Sequence, residues 1–184
     1  MPKIVEDVYY NGSKERVERL GLGPLITEVR AIVEGFPLLV KEKKDTNGGA
    51  AVRKLIDKQF AAAGGWAKKT VGDIDWIKCH RANGTSVCVG VEVQVSARSD
   101  LLVMDMIHLT AAFRDGRLDI GVIIVPSDKL GRFLTDRGPC ISDAKRHAKV
   151  ARLEDSPLIL FAIEHDGAGD ALEKQAKRPS GTHN

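Results

Sequence analysis

Two strand-forming runs meet at Asn83-Gly84 between Asp73 and Ser96, and this segment constrains the fold more than any other. Asn-Gly is the strongest short signal for a two-residue hairpin loop, because both residues tolerate the positive φ of a type I′ turn. The loop sets the register. Ala82 faces Thr85, Cys79 faces Cys88, Asp75 faces Glu92 and Asp73 faces Gln94. Side chains alternate between the two faces of a strand. Asp75, Glu92 and Gln94 therefore emerge on one face. Val87, Val89, Val91, Val93 and Val95 emerge on the other and read as core.

Directly opposed residues hold their Cβ atoms about 4.5–5.5 Å apart, so two facing carboxylates repel and weaken the sheet. A shared proton relieves this by raising one pKa. A divalent cation relieves it better, since Mg²⁺ takes carboxylate oxygens and keeps several waters. The plainer alternative is a solvated face with both acids in water. Gln94 and the following Ser96-Ala97-Arg98-Ser99 favour a site over that alternative. Asp73 shares the face, with a hydrogen-bonding or surface role expected.

A chain of 184 residues that is 43% hydrophobic and 29% charged can bury a core, which excludes a disordered or fibrous class. One domain over 1–184 is expected, with 1–23 and 167–184 peripheral. No apolar run approaches the roughly 18 residues of a membrane span. The start Met-Pro-Lys-Ile-Val-Glu-Asp carries acids and no apolar h-region, which argues against secretion. Three cysteines argue against a disulfide framework and suit a reducing cytoplasm. Cys79 and Cys88 match no structural zinc spacing and read as buried free thiols. The net charge of +3 says little, but its distribution says more. Between Lys41 and Lys69 eight basic residues stand against three acids, and Lys145, Arg146, His147, Lys149 and Arg152 cluster on an expected helix. Either cluster alone is a solvated face. Together with a carboxylate pair they suit a phosphodiester-binding cleft.

Residues 1–23 read as irregular apart from a short helix over 14–20. Pro24 suits a first helical turn, and Leu25, Ile26, Val29, Ile32 and Val33 recur at helical spacing up to Gly35. A short extended piece follows at 38–43. A second amphipathic helix opens after Asn47-Gly48-Gly49 and stops at Gly64-Gly65. Past the hairpin, Asp100 is the expected N-cap of a helix that is apolar nearly all round. Such a helix is either deeply buried or has one face on a partner. Residues 119–125 and 158–163 are continuous apolar runs, the mark of buried central strands. Pro126-Ser127-Asp128 and a loop through 135–139 lead to the basic helix, which runs from about 142 to 153. A polar tail begins at Gly167. The order predicts an α/β fold, a mixed central sheet with helices on both faces.

Asp-Ile-Asp-Trp, a hairpin and Val-Glu-Val-Gln together resemble the catalytic hairpin of the PD-(D/E)XK nuclease superfamily. Glu-x-Gln in place of Glu-x-Lys is similar to the BglII/BstYI-type restriction endonucleases. The resemblance extends from about residue 25 to residue 166 through Phe36-Pro-Leu-Leu-Val-Lys41, the helix after the hairpin, Gly121-Val-Ile-Ile-Val-Pro126 and the loop and helix at 131–152. It implies a restriction-endonuclease-like fold and a type II restriction endonuclease. The enzyme would be a homodimer that hydrolyses double-stranded DNA at a palindromic site with Mg²⁺, Mn²⁺ substituting. It further implies Asp75, Glu92 and Gln94 as catalytic residues, with Asp75, Glu92 and the Val93 carbonyl as metal ligands.

Gln94 is informative for what it lacks. An amide has donors and an acceptor but no useful basicity, so it can position a water and cannot deprotonate it. Activation must come from the metal or a substrate phosphate. Ser96, Ala97 and Arg98 leave the catalytic strand where DNA would lie, and Asp136 and Arg137 lie on the later loop. Arginine bidentate to guanine is the commonest specific base contact, yet a phosphate contact or a surface role is expected ahead of base readout for Ser96 and Arg98, and equally for Asp136 and Arg137. Lys41 and Lys43 would contact phosphates, which positions DNA without specifying sequence. His108, on the apolar helix, reads as a core or interface histidine. Two other functions fit the same fold: a structure-specific repair or nicking nuclease, and an inactive DNA-binding protein.

Overall fold

A computed structural model describes residues 3–68, 74–82, 84–96, 99–135, 138–150 and 156–174. Six strands form one mixed sheet in the order β1 (Lys3–Tyr10), β7 (Leu158–Glu164), β6 (Ile120–Pro126), β5 (Thr85–Val93), β4 (Trp76–Ala82) and β3 (Ala67–Lys68). β5, β6 and β7 run parallel, and the outer pairings are antiparallel. All seven residues of β6 are buried, as a central parallel strand covered on both faces requires.

Helices lie on both faces, as the element order predicts. α2 (Gly23–Glu34) and α3 (Gly49–Ala63) cover the valine face, where Val29, Val52, Ile56 and Phe60 pack against Val87, Val89, Val91, Val93 and Val95. α4 (Ser99–Arg114) and α6 (Ile141–Val150) cover the other face, where Leu102, Met106, Leu109 and Ala144 meet Ile123, Val125 and Leu160. Each such buried aliphatic side chain contributes about 1.5–3 kcal/mol. α4 is half-buried, not wholly so. Its outer face exposes Leu101, Met104 and Ile107, all more than 40% accessible.

The hairpin has the expected register, from Ala82↔Thr85 to Trp76↔Val91. Gly84 has φ +80°; Asn83 lies outside the described residues. Cys79 and Cys88 correct the expectation of buried thiols. They are joined by a disulfide, and Cys79 is exposed. The register itself sets them directly opposite with Cα atoms 4.1 Å apart, a close-set pair of the ladder.

The N-terminal segment is also more ordered than its sequence suggests. β1 pairs antiparallel with β7, and α1 (Ser13–Arg19) follows it. A bulge between Ile4 and Glu6 breaks the alternation that would have marked the strand. α5 (Asp128–Phe133) occupies part of the expected connection, capped by Ser127, whose hydroxyl accepts from the Leu130 N–H at 3.0 Å. The segment after Gly167 is not wholly a tail. β8 (Gly167–Ala168) pairs in parallel with β2 (Leu39–Val40), and Leu172 packs on the valine-side core. Asp100, expected as an N-cap, is already helical, because α4 starts at Ser99.

Candidate active site

The acids gather at the open end of the hairpin, away from its turn. Asp75 stands one residue before β4, a single step beyond the last ladder pair. Its Oδ2 accepts from the Val93 N–H at 2.9 Å, so a side chain continues the ladder where the strand stops. Glu92 and Gln94 follow on β5 and just past it, 3% and 4% exposed. Both lie on the α4 side of the sheet, since their neighbours Val91, Val93 and Val95 fill the opposite core.

α3 brings a cation to this end. Arg53 donates from Nη2 to Asp75 Oδ1 at 2.6 Å and from Nη1 to the Val93 carbonyl. Its Nε donates to Asp57 Oδ1 at 3.1 Å. Asp57 also accepts from Trp76 Nε1 and Lys68 Nζ, each at 3.0 Å, and the Trp76 ring stacks on Phe60. Burial disfavours the Arg53 charge, but Asp75 and Asp57 outweigh it and hold the guanidinium above its ordinary pKa. Burial likewise works against the Asp57 carboxylate, and Arg53, Trp76 and Lys68 more than offset it, leaving its pKa below the ordinary range.

α4 brings a third acid and an imidazole. Gln94 Nε2 donates to Asp105 Oδ2 at 2.5 Å. Glu92, Asp105 and His108 each offer a ligand atom, and these atoms lie within 4.8 Å of one another. Among the described residues Glu92 Oε1 is buried with no hydrogen-bond partner. Burial first, then the charges of Asp75 and Asp105, push the Glu92 carboxyl up to about 10. Burial and Asp75 push Asp105 up to about 7, with Arg53 opposing. Without a cation, the cluster therefore retains a proton at neutral pH.

The structure brings together Asp75, Glu92, Val93 and Gln94. It adds three residues that the sequence did not single out for the site. Arg53 looks like one more member of the 41–69 basic run. Asp105 was readable only as an acid within an apolar helix, three residues before His108. His108, expected as a core or interface histidine, is half-buried and offers a ring nitrogen within 4.8 Å of ligand atoms of Glu92 and Asp105. Lys41 and Lys43 are exposed on the loop between β2 and α3, where Asn47 bonds both backbone groups of Lys41. Ser96 is half-buried two residues past Gln94. Asp73, Ala97, Arg98, Asp136 and Arg137 lie outside the described residues.

These donors fit a divalent cation. A guanidinium already draws Asp75 and the Val93 carbonyl onto one positive group, and the neighbouring Glu92 oxygen is buried with no donor among the described residues. A mixed sheet flanked by helices, with a carboxylate cluster at the open end of its hairpin, defines a restriction-endonuclease-like protein. The family model for restriction endonuclease BglII/BglIII matches residues 22–182, nearly the whole chain, and the chain belongs to that family. It is thus a type II site-specific deoxyribonuclease, with DNA as substrate. Among curated proteins the comparison found no match.

Proposed function

We propose that the protein cuts double-stranded DNA at a specific palindromic site, as a Mg²⁺-dependent homodimer in the cytoplasm, with Mn²⁺ able to replace Mg²⁺. The observation that carries this reading is the convergence of Asp75, Glu92, the Val93 carbonyl and Gln94 at one end of a hairpin. This is the PD-(D/E)XK arrangement with glutamine at the lysine position. Asp75, Glu92 and the Val93 carbonyl would hold the ion. When bound, the ion supplies Lewis-acid polarisation of the scissile phosphate and lowers the pKa of a water.

The chain's own groups do the rest. Arg53 must release Asp75 and the Val93 carbonyl to make them available, and its cation is then free to face a phosphate. Glu92 gives up its proton and becomes a ligand carboxylate. Gln94, anchored on Asp105, presents its amide to orient the attacking water without taking the water's proton. The water oxygen bonds to phosphorus as the bond to the 3′-oxygen breaks, and the proton the water loses goes to solvent, which in turn protonates the departing 3′-oxygen. Exposed Lys41 and Lys43 suit phosphate contacts, and Ser96, Ala97, Arg98, Asp136 and Arg137 are the further DNA-contact candidates by their chemistry and their place in the sequence.

The exposed Leu101, Met104 and Ile107 stripe supports pairing of two copies through α4. Among the described residues no helix is long and apolar enough to cross a membrane. In the cytoplasm thiols are kept reduced. There the Cys79–Cys88 bond opens to a facing dithiol that the ladder keeps in place. The test is digestion of plasmid DNA by the purified protein, followed by sequencing of the ends. Discrete fragments sharing one site are expected with Mg²⁺. A smear, no cutting of diverse DNA, or cutting in excess chelator would overturn the proposal.

A further inference from the structure

We propose that Glu92, Asp105 and His108 form a second cation subsite, on the α4 side of the hairpin, which takes a divalent transition ion such as Mn²⁺ or Co²⁺ in preference to Mg²⁺. It deepens the proposed nuclease reading, but the subsite rests on its own geometry. The three ligand atoms lie within 4.8 Å of one another. Acids in proximity do not make a site. The second observation is Glu92 Oε1, an oxygen of a 3%-exposed side chain that is buried with no donor among the described residues. A buried acceptor left unpaired is destabilising, and a cation is the partner that a carboxylate oxygen accepts best.

The other two ligands are well supported. Asp105 and His108 are spaced i, i+3 on one helix, so they share a face of a rigid element. Carboxylate-x-x-histidine at this spacing is a recurring way for a helix to present a metal-ligand pair. Asp105 Oδ2 is further fixed by the Gln94 amide, the kind of outer hydrogen bond that orients a metal ligand. Arg53 compensates Asp75 and the Val93 carbonyl from the α3 side. Among the described residues the deficit of positive charge therefore lies on the α4 side.

The imidazole sets the preference. Mg²⁺ and Ca²⁺ take hard oxygen ligands, whereas Mn²⁺, Co²⁺, Ni²⁺ and Zn²⁺ accept mixed oxygen and imidazole sets. Three protein ligands leave positions open for water or a phosphate oxygen.

The experiment is a Co²⁺ titration of the full chain without DNA, read by visible absorption and calorimetry. It compares wild type with His108→Gln, Asp105→Asn and Asp75→Asn, each checked by circular dichroism. Expected are a saturable Co²⁺ site in wild type and its weakening by about tenfold or more in His108→Gln and Asp105→Asn. Asp75→Asn should retain it. The proposal is overturned if wild type binds no Co²⁺, if both α4 variants titrate like wild type, or if Asp75→Asn alone removes all binding. Digestion of plasmid DNA in Mg²⁺ separates the two claims. Co²⁺ binding with no cleavage sinks the nuclease reading alone. Cleavage with unaltered titrations of both α4 variants sinks the subsite alone.

Discussion

α3 and α4 reach the same acidic cluster from opposite faces of the sheet and bring it opposite things. α3 delivers a guanidinium that satisfies Asp75 and the Val93 carbonyl and is itself held by Asp57. α4 delivers another carboxylate and an imidazole, and among the described residues Glu92 Oε1 has no donor. Among the described residues, one side of the cluster is neutralised and the other is not. Metal-free stability is therefore expected to depend on α3, and ion binding to draw on the deficit left beside α4.

Asp75 lies between the two sides, so its loss should have the largest effect. Asp75→Ala is expected to lower cleavage of supercoiled plasmid by about a thousandfold or more, the several kcal/mol that a metal's charge stabilisation supplies. Circular dichroism should remain native. Retained cutting would place the chemistry elsewhere.

Removing the α3 cation comes next. Arg53→Gln leaves Asp75 and Asp57 with less compensation and should destabilise the metal-free protein by about 2–3 kcal/mol in urea unfolding. Added Mg²⁺ should stabilise this variant more than it does wild type. An equal response in both proteins would break the contrast between the helices.

The uncompensated side has its own signature in pH. Glu92 is an acid whose pKa rises on folding from 4.5 to about 10. Between those values the folded chain holds a proton that the unfolded chain has lost. Stability is thus full below about pH 4.5 and falls as pH rises toward 10, by at most about 1.4 kcal/mol per pH unit for one proton. Melting in chelator from about pH 5 to 9 measures this slope, and Glu92→Gln should flatten it. A wild-type curve rising over that range would contradict the burial argument.

The smallest effect on the fold is expected on the outer face of α4. Ile107→Lys should change monomer stability by less than about 0.5 kcal/mol, yet shift the protein from dimer to monomer in sedimentation velocity. An unaltered sedimentation coefficient would move the pairing surface away from this stripe.

Legibility followed sequence distance. The hairpin is local, and one turn signal was enough to align Asp75, Glu92, Val93 and Gln94. α2, α3, β6 and β7 were readable because their apolar patterns are long and regular. β1 was not, because acids and a bulge interrupt it. The two-residue strands β3 and β8 carry no pattern to read. Arg53 and Asp105 were hidden for another reason. Each is ordinary on its own helix and meaningful only beside a strand 40 and 13 residues away at Val93 and Glu92, respectively. Cys79 and Cys88 were correctly placed opposite one another and misjudged in chemistry, because an odd cysteine count outweighed the register.

α4 carries Asp105 and His108 one helical turn from Leu101 and Met104, so the cluster residues lie beside the exposed Leu101, Met104 and Ile107 stripe. In a homodimer joined through that stripe, the same stiff helix would fix how far each cutting centre stands from the twofold axis. The stagger between the nicks in the two strands, and so the length of overhang, would then be measured out by protein geometry instead of by the bases it reads.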